Sequence, residues 1–332
     1  MQDDLAPTLA QAEVHRGVMD ASAGAVHAHA ALALVVQTEG STYVRSGAMA
    51  LFDGPDAQVG WLSGGCLEPE IEVRALAAAR AGQLDWMEVD TRDDEDLLSG
   101  SAVGCRGRLV LALLPLARLP GWDQAVRAWR SGVDLTLTLQ RLGQGALALA
   151  LGDRQWKLPA TAAPAGLPPT ITLLFKAPPK VVLFGAGPEL AHLLPLLRDG
   201  GWMTTLVERR PRWSPSPQRP LPADHWQATA PATAAMLPAL ADADAALVMH
   251  HNFELDREAL EALAATDIPF IGLLGPHRRR EDLFRLLPPA AVDALGKRLH
   301  SPVGLDLGGR GEQAIALSIA AQLQAWRHGR TG

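Results

Sequence analysis

Short apolar runs, bounded by glycine-rich or proline-rich loops, recur along the chain. In the first half, they predict a helix over residues 6–28 and a buried strand over 31–36. Further strands are predicted over 47–52, 59–62, 86–89, 108–114 and 135–139, and further helices over 66–81 and 122–130. Together these elements predict one α/β domain built on a single mixed sheet.

The composition shifts to Pro, Ala and Thr between residues 159 and 179, where the apolar run 171–175 suits the last strand of the first domain. We place the domain boundary near Ala177, with a first domain over 1–177 and a second over 178–332. In the second domain, helical segments alternate with strands predicted over 181–184, 204–207, 245–249 and 270–273. This alternation predicts a Rossmann-like, doubly wound parallel sheet with right-handed crossovers.

Composition narrows the class of protein. The 332 residues are 48% hydrophobic, enough for two cores. The 30 basic and 36 acidic residues give a net charge of −6 without a basic cluster, which disfavours nucleic acid as a partner. Two cysteines are too few for a disulfide scaffold and favour a reducing cytoplasm. No apolar run reaches the roughly 20 residues that a membrane-spanning helix needs, so we expect no membrane span.

A near-complete dinucleotide fingerprint opens the second domain. A strand runs into Gly185-Ala186-Gly187 and then a helix, and the next strand ends in Glu208. In this motif, Gly185 would make the tight turn, Gly187 would let the backbone approach a pyrophosphate, and Glu208 would accept a ribose hydroxyl. Leu190 replaces the third glycine. The pattern predicts a Rossmann fold and leaves open whether NAD(P) binds there or the glycines only form the turn.

A glycine-rich loop, Gly40 to Gly47, lies between two apolar strands of the first domain. Its glycines allow close approach of the backbone to a ligand, Ser41 adds a hydroxyl, and Arg45 adds a permanently charged, forked donor. The loop is therefore a candidate anion site. The alternative is an ordinary hairpin connection.

Cys66 follows Gly64 and Gly65 at the predicted start of a helix. A helix N-terminus favours the thiolate, which binds metals and attacks sulfur. Glu68 opposes that effect unless its side chain points away. The alternative is a small buried hydrophobic cysteine.

Cys105 lies in a second glycine-rich stretch, between Gly104 and Gly107, with arginines on both sides of Gly107. Two thiols near glycines and cations suit a phosphorylated, sulfur-rich ligand or its metal. A disulfide pair and two inert core thiols are the alternatives.

His250, His251 and Asn252 follow the strand predicted over 245–249, at the edge where open α/β sheets bind ligands. We therefore include His251 among the candidate ligand-binding residues. A metal site is the weaker alternative, because adjacent side chains on an extended chain point apart and the sequence assigns no further ligand.

Several of these motifs resemble those of the XdhC/CoxI family, in the same order along the chain. Three lie in the first half: Gly40-Ser41-Thr42 with Arg45 and Gly47-Ala48, then Ser63 to Glu68, then Gly104-Cys105 with Gly107. The second half adds Phe184 to Pro188, Val248 to Asp256, Ile271 to Pro276, and Leu299 to Gly308 before a closing helix. The resemblance extends from about residue 30 to residue 326.

The resemblance implies a cytoplasmic accessory protein that binds molybdenum cofactor (molybdopterin), supports its sulfuration and inserts it into a xanthine dehydrogenase-like molybdenum hydroxylase. A cysteine desulfurase is the implied sulfur source, and catalysis by the chain itself is not implied. By position, Cys66 and Cys105 are the implied contacts to the cofactor and its metal, with Arg45 and nearby glycines at the phosphate. The sequence does not decide whether the chain forms a homodimer.

Two other functions compete with this interpretation. The Gly185 loop would suit an NAD(P)-dependent oxidoreductase, and a cofactor-free scaffold could dock a desulfurase on its client. A shared ligand requires the loops 40–47, 64–66 and 104–107 to converge on one cleft, which we therefore expect.

Overall fold

The computed structural model describes residues 10–11, 15–24, 29–92, 107–143, 145–218 and 220–329. It divides into two compact units, Met1–Ala177 and Pro178–Gly332. Each unit has its own apolar cores, formed only by residues of that unit. Among the described helices, none is both long and apolar enough to cross a bilayer.

The described part of the first unit contains ten strands and three α-helices. Its strands are β1 (Ala10–Gln11), β2 (Ala31–Gly40), β3 (Met49–Phe52), β4 (Gln58–Val59), β5 (Asp85–Asp90), β6 (Gly107–Pro115), β7 (Leu135–Arg141), β8 (Ala146–Leu151), β9 (Arg154–Pro159) and β10 (Thr170–Phe175). Its helices are α1 (Arg16–Gly24), α2 (Glu68–Ala81) and α3 (Trp122–Ser131).

These strands form two sheets, so the prediction of a single mixed sheet was wrong. The first sheet is antiparallel, with the order β4-β3-β2-β6-β5. The second has the order β1-β10-β7-β8-β9, in which only β1 is parallel to its neighbour. The β7-β8-β9 meander pairs with itself and with β10, and therefore it builds a separate sheet instead of extending the first.

The first sheet is buried on both faces, which explains the continuous apolar run in β2. Ala31 and Ala33 face a core that they share with Ile71 of α2. Leu32 and Leu34 face the other core, where the second sheet, α1 and α3 pack. Because successive side chains of a strand point to opposite faces, every position of such a strand must be apolar.

The predicted start of the N-terminal helix was wrong. Residues 10–11, predicted to be helical, form β1, which pairs with Leu173 and Leu174 of β10, and the described helix α1 spans Arg16–Gly24. The predicted end of the helix, over 25–28, lies outside the described residues. An alanine-rich sequence has a helical propensity that does not decide against a strand when a neighbouring strand supplies hydrogen bonds.

The second unit is a doubly wound α/β fold, which confirms the predicted fold class. Its strands are β11 (Lys180–Phe184), β12 (Met203–Val207), β13 (His225–Gln227), β14 (Ala245–Val248), β15 (Phe270–Leu273) and β16 (Leu299–His300). Its helices are α4 (Leu190–Asp199), α5 (Pro231–Ala235), α6 (Pro238–Ala241), α7 (Phe253–Ala264), α8 (His277–Phe284), α9 (Pro289–Leu295) and α10 (Glu312–Arg327).

All six strands of this sheet are parallel, in the order β13-β12-β11-β14-β15-β16. Helices α4 and α10 cover one face, and α5, α7 and α9 cover the other. The chain direction across the sheet reverses between β11 and β14, and ligands of such folds bind beside the carboxyl ends of the strands at this point. We call this place the switch-point crevice.

Candidate functional site

The loop before α2 holds the Cys66 thiol in an exposed position. Ser63 Oγ accepts hydrogen bonds from the Gly65 amide at 3.2 Å and the Leu67 amide at 3.1 Å. Cys66 Sγ lies 3.6 Å from the same oxygen. Gly65 has φ = +102°, a left-handed conformation that favours glycine. One serine hydroxyl therefore organises the whole turn around the thiol.

The Glu68 carboxylate holds Ser63 in place through hydrogen bonds. Its buried carboxylate accepts the Leu62 amide at 3.0 Å and the Ser63 amide at 2.7 Å, and Ser63 Oγ donates to it as well. Burial alone would raise the pKa of Glu68, but the hydrogen bonds from Ser63 and Leu62 outweigh it and lower that pKa. The charged Glu68 carboxylate therefore fixes the conformation of the loop.

The start of α2 corrects the sequence prediction. The helix begins at Glu68 and not at Cys66, and the two residues between Gly65 and the helix belong to the turn. Pro69 in the first helical turn was the available signal, since proline is favoured there and lacks the amide that an inner turn needs. The Glu68 carboxylate accepts from the Leu62 and Ser63 amides, and only the Ser63 hydroxyl separates it from the Cys66 sulfur, so the predicted opposition of its charge to a thiolate remains.

The Gly40 loop is anchored by the strand pair β2 and β6. Gly40 lies opposite Gly107, and a Cβ on Gly107 would lie 2.5 Å from Ser41 O and 2.9 Å from Glu39 O. Only glycine fits that close approach. Gly107, the last residue of the third predicted loop, therefore lies directly beside the Gly40 loop.

Arg45 extends from this loop into solvent. Among the described residues, no hydrogen-bond or ion-pair partner of its side chain is present. Nearby, the buried Arg108 donates to Glu39 Oε1 at 2.9 Å and also to Glu88. Arg108 stabilises the base of the loop, whereas Arg45 remains available to a ligand.

The structure brings two of the three predicted loops onto one core. Val44 from the Gly40 loop and Leu62 from the Cys66 loop pack in the same apolar cluster as Ile71. Gly104 and Cys105 lie outside the described residues, so convergence of all three loops on one cleft stays a prediction. Within the described ranges, no three His, Cys, Asp or Glu side chains group as metal ligands.

At the switch-point crevice, Gly185 lies in tight contact with the β14 end of the sheet. It has φ = +102°, and a Cβ there would lie 2.5 Å from His250 N and 2.8 Å from Met249 C. The predicted tight turn at Gly185 is therefore required by its own fold, with or without a ligand.

Glu208 does not offer a free oxygen to a ribose. Its buried carboxylate accepts the Ala186 amide at 3.1 Å and the Arg210 amide at 2.8 Å, and Arg210 Nη2 donates at 2.6 Å. Burial alone would raise the pKa of Glu208, and the hydrogen bonds from Arg210 overcome that effect and lower it. Arg210 Nη1 also donates to His250 O at 3.1 Å. This network joins three strand ends.

A carboxylate also occupies the space beside Gly187. A Cβ on Gly187 would overlap Glu189 Oε2 and lie 2.8 Å from His251 Nε2, and those two atoms are 3.1 Å apart. Glu189 is buried at the start of α4, where a dinucleotide fold places the pyrophosphate. Leu190, which replaces the third glycine, is fully buried in the core.

The two histidines point to different carboxylates, as expected for adjacent residues. His250 is buried and its Nδ1 lies 3.1 Å from Asp256 Oδ1, while Asp256 Oδ2 accepts Arg279 Nη2 at 2.7 Å. Sequence reasoning did not single out Glu189 or Asp256. Their signals were weak, because each is an acidic residue in the first turns of a helix, where such residues are common.

Comparison with known proteins bears on both units. The XdhC Rossmann domain matches residues 181–323, and the XdhC and CoxI family matches residues 25–89. A Bacillus subtilis (strain 168) protein, named as a probable subunit of xanthine dehydrogenase, is 27% identical over 310 residues, covering 89% of this chain and 92% of that one. A crystal structure from Bacillus halodurans, described as a xanthine dehydrogenase, has a TM-score of 0.74 at 26% identity and covers 95% of this chain and 96% of that one.

The chain belongs to the XdhC and CoxI family. An uncharacterized Escherichia coli (strain K12) protein, YqeB, adds a local similarity of 38% over 69 residues, 20% of this chain and 13% of YqeB. The XdhC and CoxI match contains Arg45 and Cys66, and the XdhC Rossmann match contains the switch-point crevice. Gly104 to Gly107 lie in neither match.

Proposed function

We propose that this chain is an accessory protein of a xanthine dehydrogenase-type molybdenum hydroxylase. In this proposal it binds molybdenum cofactor as cargo, supports the sulfuration of that cofactor and inserts it into the hydroxylase. Family membership supports the accessory role. The observation that supports cargo binding is the Cys66 loop. There, the buried hydrogen bonds between Glu68 and Ser63 hold an exposed thiol beside two glycines.

The side chains in this loop suit the cargo chemically. A cysteine sulfur is a metal ligand in its thiolate form and gives up its proton on binding. Arg45, with its exposed guanidinium, is the donor for a phosphate group because it offers a forked, charge-assisted contact. Gly64 and Gly65 are exposed and carry no side chain that blocks approach of the cargo, and the Gly65 amide is already bonded to Ser63 Oγ.

The proposed function implies two protein partners. A cysteine desulfurase supplies the sulfur, the hydroxylase receives the finished cofactor, and this chain holds the cofactor between them. All three would meet in the cytoplasm. Cys105 is proposed as the second sulfur contact on the basis of its sequence position alone.

The switch-point crevice gives no support to an NAD(P)-dependent enzyme. Glu189 places negative charge where a pyrophosphate would bind, and Glu208 already accepts from Ala186 and Arg210. Nucleotide binding would require the Glu189–His251 pair to separate and a buried carboxylate to face a phosphate. Both changes cost free energy.

The test is the variant Cys66→Ser, produced in a host that makes molybdenum cofactor. We expect it to fold, with a change in unfolding free energy below about 2 kcal/mol, because the thiol is exposed. We expect at least a tenfold loss of co-purified molybdenum and pterin and of hydroxylase activation. Elemental analysis, pterin fluorescence and a client activity assay measure these quantities beside a thermal melt.

The matched control is Glu70→Gln, which changes an exposed side chain of α2 near the same loop. It should retain cofactor and activation like the wild type. If Cys66→Ser retains the full cofactor content, the thiol is not a cargo contact and the proposal fails at this loop. If the wild type itself carries neither molybdenum nor pterin, the cofactor-free scaffold becomes the better account.

A further inference from the structure

A cavity of about 640 Å³ opens in the first unit, away from the Cys66 and Gly40 loops. Residues of three strands line it: Trp86 of β5, Arg141 of β7 and Leu147 of β8, together with Ala160 and Ala162 after β9. Its size falls within the range of pockets that bind small organic ligands. The cavity belongs to none of the motifs singled out in the sequence.

The chain after β9 crosses from the second sheet to the first and forms the roof of this cavity. Ala160 pairs with Leu84, and the Trp86 amide donates to Thr161 Oγ1 at 3.1 Å. Farther along, Leu167 O accepts Arg141 Nη2 at 2.7 Å. The roof is therefore attached to both sheets, so the space beneath it is bounded by built structure and not by a loose loop.

Arg141 carries the charge of the cavity. Alternation along β7 places it on the same face as the buried Leu137 and Leu139, so its side chain points between the sheets and not into solvent. Of the described residues that line the cavity, it is the charged one, and the described part of the chain offers it no carboxylate.

The hydrogen bonding of this guanidinium is incomplete. Its Nη2 has an acceptor, whereas the buried Nε has none. A buried donor on a cation without an acceptor costs free energy, and an anion beside it removes that cost.

We propose that this cavity binds a small organic anion, a carboxylate or a phosphate monoester with an apolar body. The acidic group binds at Arg141, and the body packs against Trp86, Leu147 and Ala162. This site is independent of the cargo site proposed at Cys66. Arg108 also donates to Ala165 O in the roof at 3.3 Å and to Glu39 at the base of the Gly40 loop, which gives the two regions a shared contact.

The probe is the fluorescent anion 8-anilinonaphthalene-1-sulfonate, compared with its neutral analogue N-phenyl-1-naphthylamine, on the full chain. Arg141→Met keeps an unbranched apolar stem and removes the charged guanidinium group. We expect the dissociation constant of the anion to rise at least tenfold, with little change for the neutral analogue. Arg127→Met, on the exposed face of α3, is the matched control and should bind both dyes like the wild type.

Ala162→Phe fills the cavity from its exposed rim and should weaken binding of both dyes. Displacement assays then distinguish the anion classes: phenyl phosphate and benzoate are compared, with inorganic phosphate and phenol as the isolated parts. We expect one or both organic anions to displace the dye at least tenfold better than either isolated part.

Three outcomes would overturn the proposal. Dye affinity within twofold of the wild type in both Arg141→Met and Ala162→Phe would show that the dyes bind elsewhere. Equal losses of both dyes in Arg141→Met, with Arg141→Lys failing to restore the anion, would show a collapsed cavity without an anion site. Equal displacement by inorganic phosphate and phenyl phosphate would show that an apolar body adds nothing to binding, which contradicts the proposed ligand class.

Discussion

His251 has a backbone φ of +54°, which few residues other than glycine adopt. The conformation turns its ring toward Glu189, away from the direction of His250. The hydrogen bond that the His251 ring donates to the Glu189 carboxylate raises the pKa of His251 above its ordinary value of 6.5. Burial alone would raise the pKa of Glu189, but the same hydrogen bond outweighs it and lowers that pKa from 4.5.

These shifts predict a pH-dependent contribution to stability. A histidine pKa that is raised on folding stabilises the fold fully below about pH 6.5, and this contribution is lost as the pH rises through the shifted value. The lowered Glu189 pKa makes the pair effective above about pH 4.5. We therefore expect Glu189→Gln to lower the thermal midpoint more at pH 6 than at pH 9. The expected cost at pH 6 stays near or below about 1 kcal/mol, because His251 is half exposed.

Differential scanning calorimetry at both pH values measures this difference. Glu254→Gln is the control, since Glu254 has a side chain that is 82% exposed on α7. An equal loss of stability in Glu189→Gln at pH 6 and pH 9 would contradict the pairing with a protonated His251.

At the same scale, Glu208 shows what a sequence motif can and cannot specify. The motif placed it correctly at the end of the second strand, where a dinucleotide fold needs an acidic residue. Its partners are the Ala186 amide and Arg210, and only the folded chain shows that both bind it. A motif specifies which residue reaches a place, and the neighbours determine whether its oxygens remain free.

Among the elements, the turn after β11 is sensitive to substitution because it lies against the backbone of β14. Gly185→Ala would put a methyl group against the backbone of His250 and Met249 in a left-handed conformation. Neither strand end can move without losing pairing between β11 and β14. We expect a loss of about 3 kcal/mol or more, or failure of the second unit to fold, measured by urea denaturation.

Gly17→Ala is the contrasting control for this prediction. Gly17 lies in α1 with no atom within 4 Å of the added Cβ, so the substitution should leave stability unchanged or raise it by about 0.5–1 kcal/mol. A comparable loss in both variants would indicate that glycine flexibility, and not the close approach at Gly185, controls the result.

Elements that local sequence patterns determine were predicted well, and elements that depend on distant contacts were not. Strands β11, β12, β14 and β15 were predicted within a residue or so, because strands buried on both faces read as continuous apolar runs. Strands β8 and β9 were missed, although Ala146–Leu151 alternates alanine and leucine with strict in-and-out burial. The sequence shows no alternation of apolar and polar residues there, because alanine occupies the outer face where a polar residue would have indicated a strand.

At the scale of the whole molecule, the cores predict two independent folding units. No core cluster mixes described residues from the two sides of Ala177. We therefore expect the fragments 1–177 and 178–332 each to unfold cooperatively when produced alone. Circular dichroism during heating measures this. A fragment ending at residue 169 is the control. It lacks β10, so β7 loses its pairing with Ile171, Leu173 and Phe175. We expect this fragment to show no cooperative melting.

The sequence placed the chain in its family from motifs spread over both units, and the fold agrees. It could not supply the cavity at Arg141, because the roof that makes this cavity crosses between sheets whose strands are distant in the sequence. A cavity of this kind arises from tertiary packing, and a charged residue at the end of a strand gives no sign of what surrounds it.

Helix α10 places Ala316, Ile319 and Leu323 in the same core as Leu190 and Leu197 of α4. During translation, β11 and α4 leave the ribosome more than a hundred residues before this helix exists. At about 5–20 residues per second, the apolar face of α4 remains uncovered for roughly 6–25 seconds. The first unit can complete its cores in that interval. During the same time, the second unit exposes an apolar helix face of the kind that molecular chaperones bind.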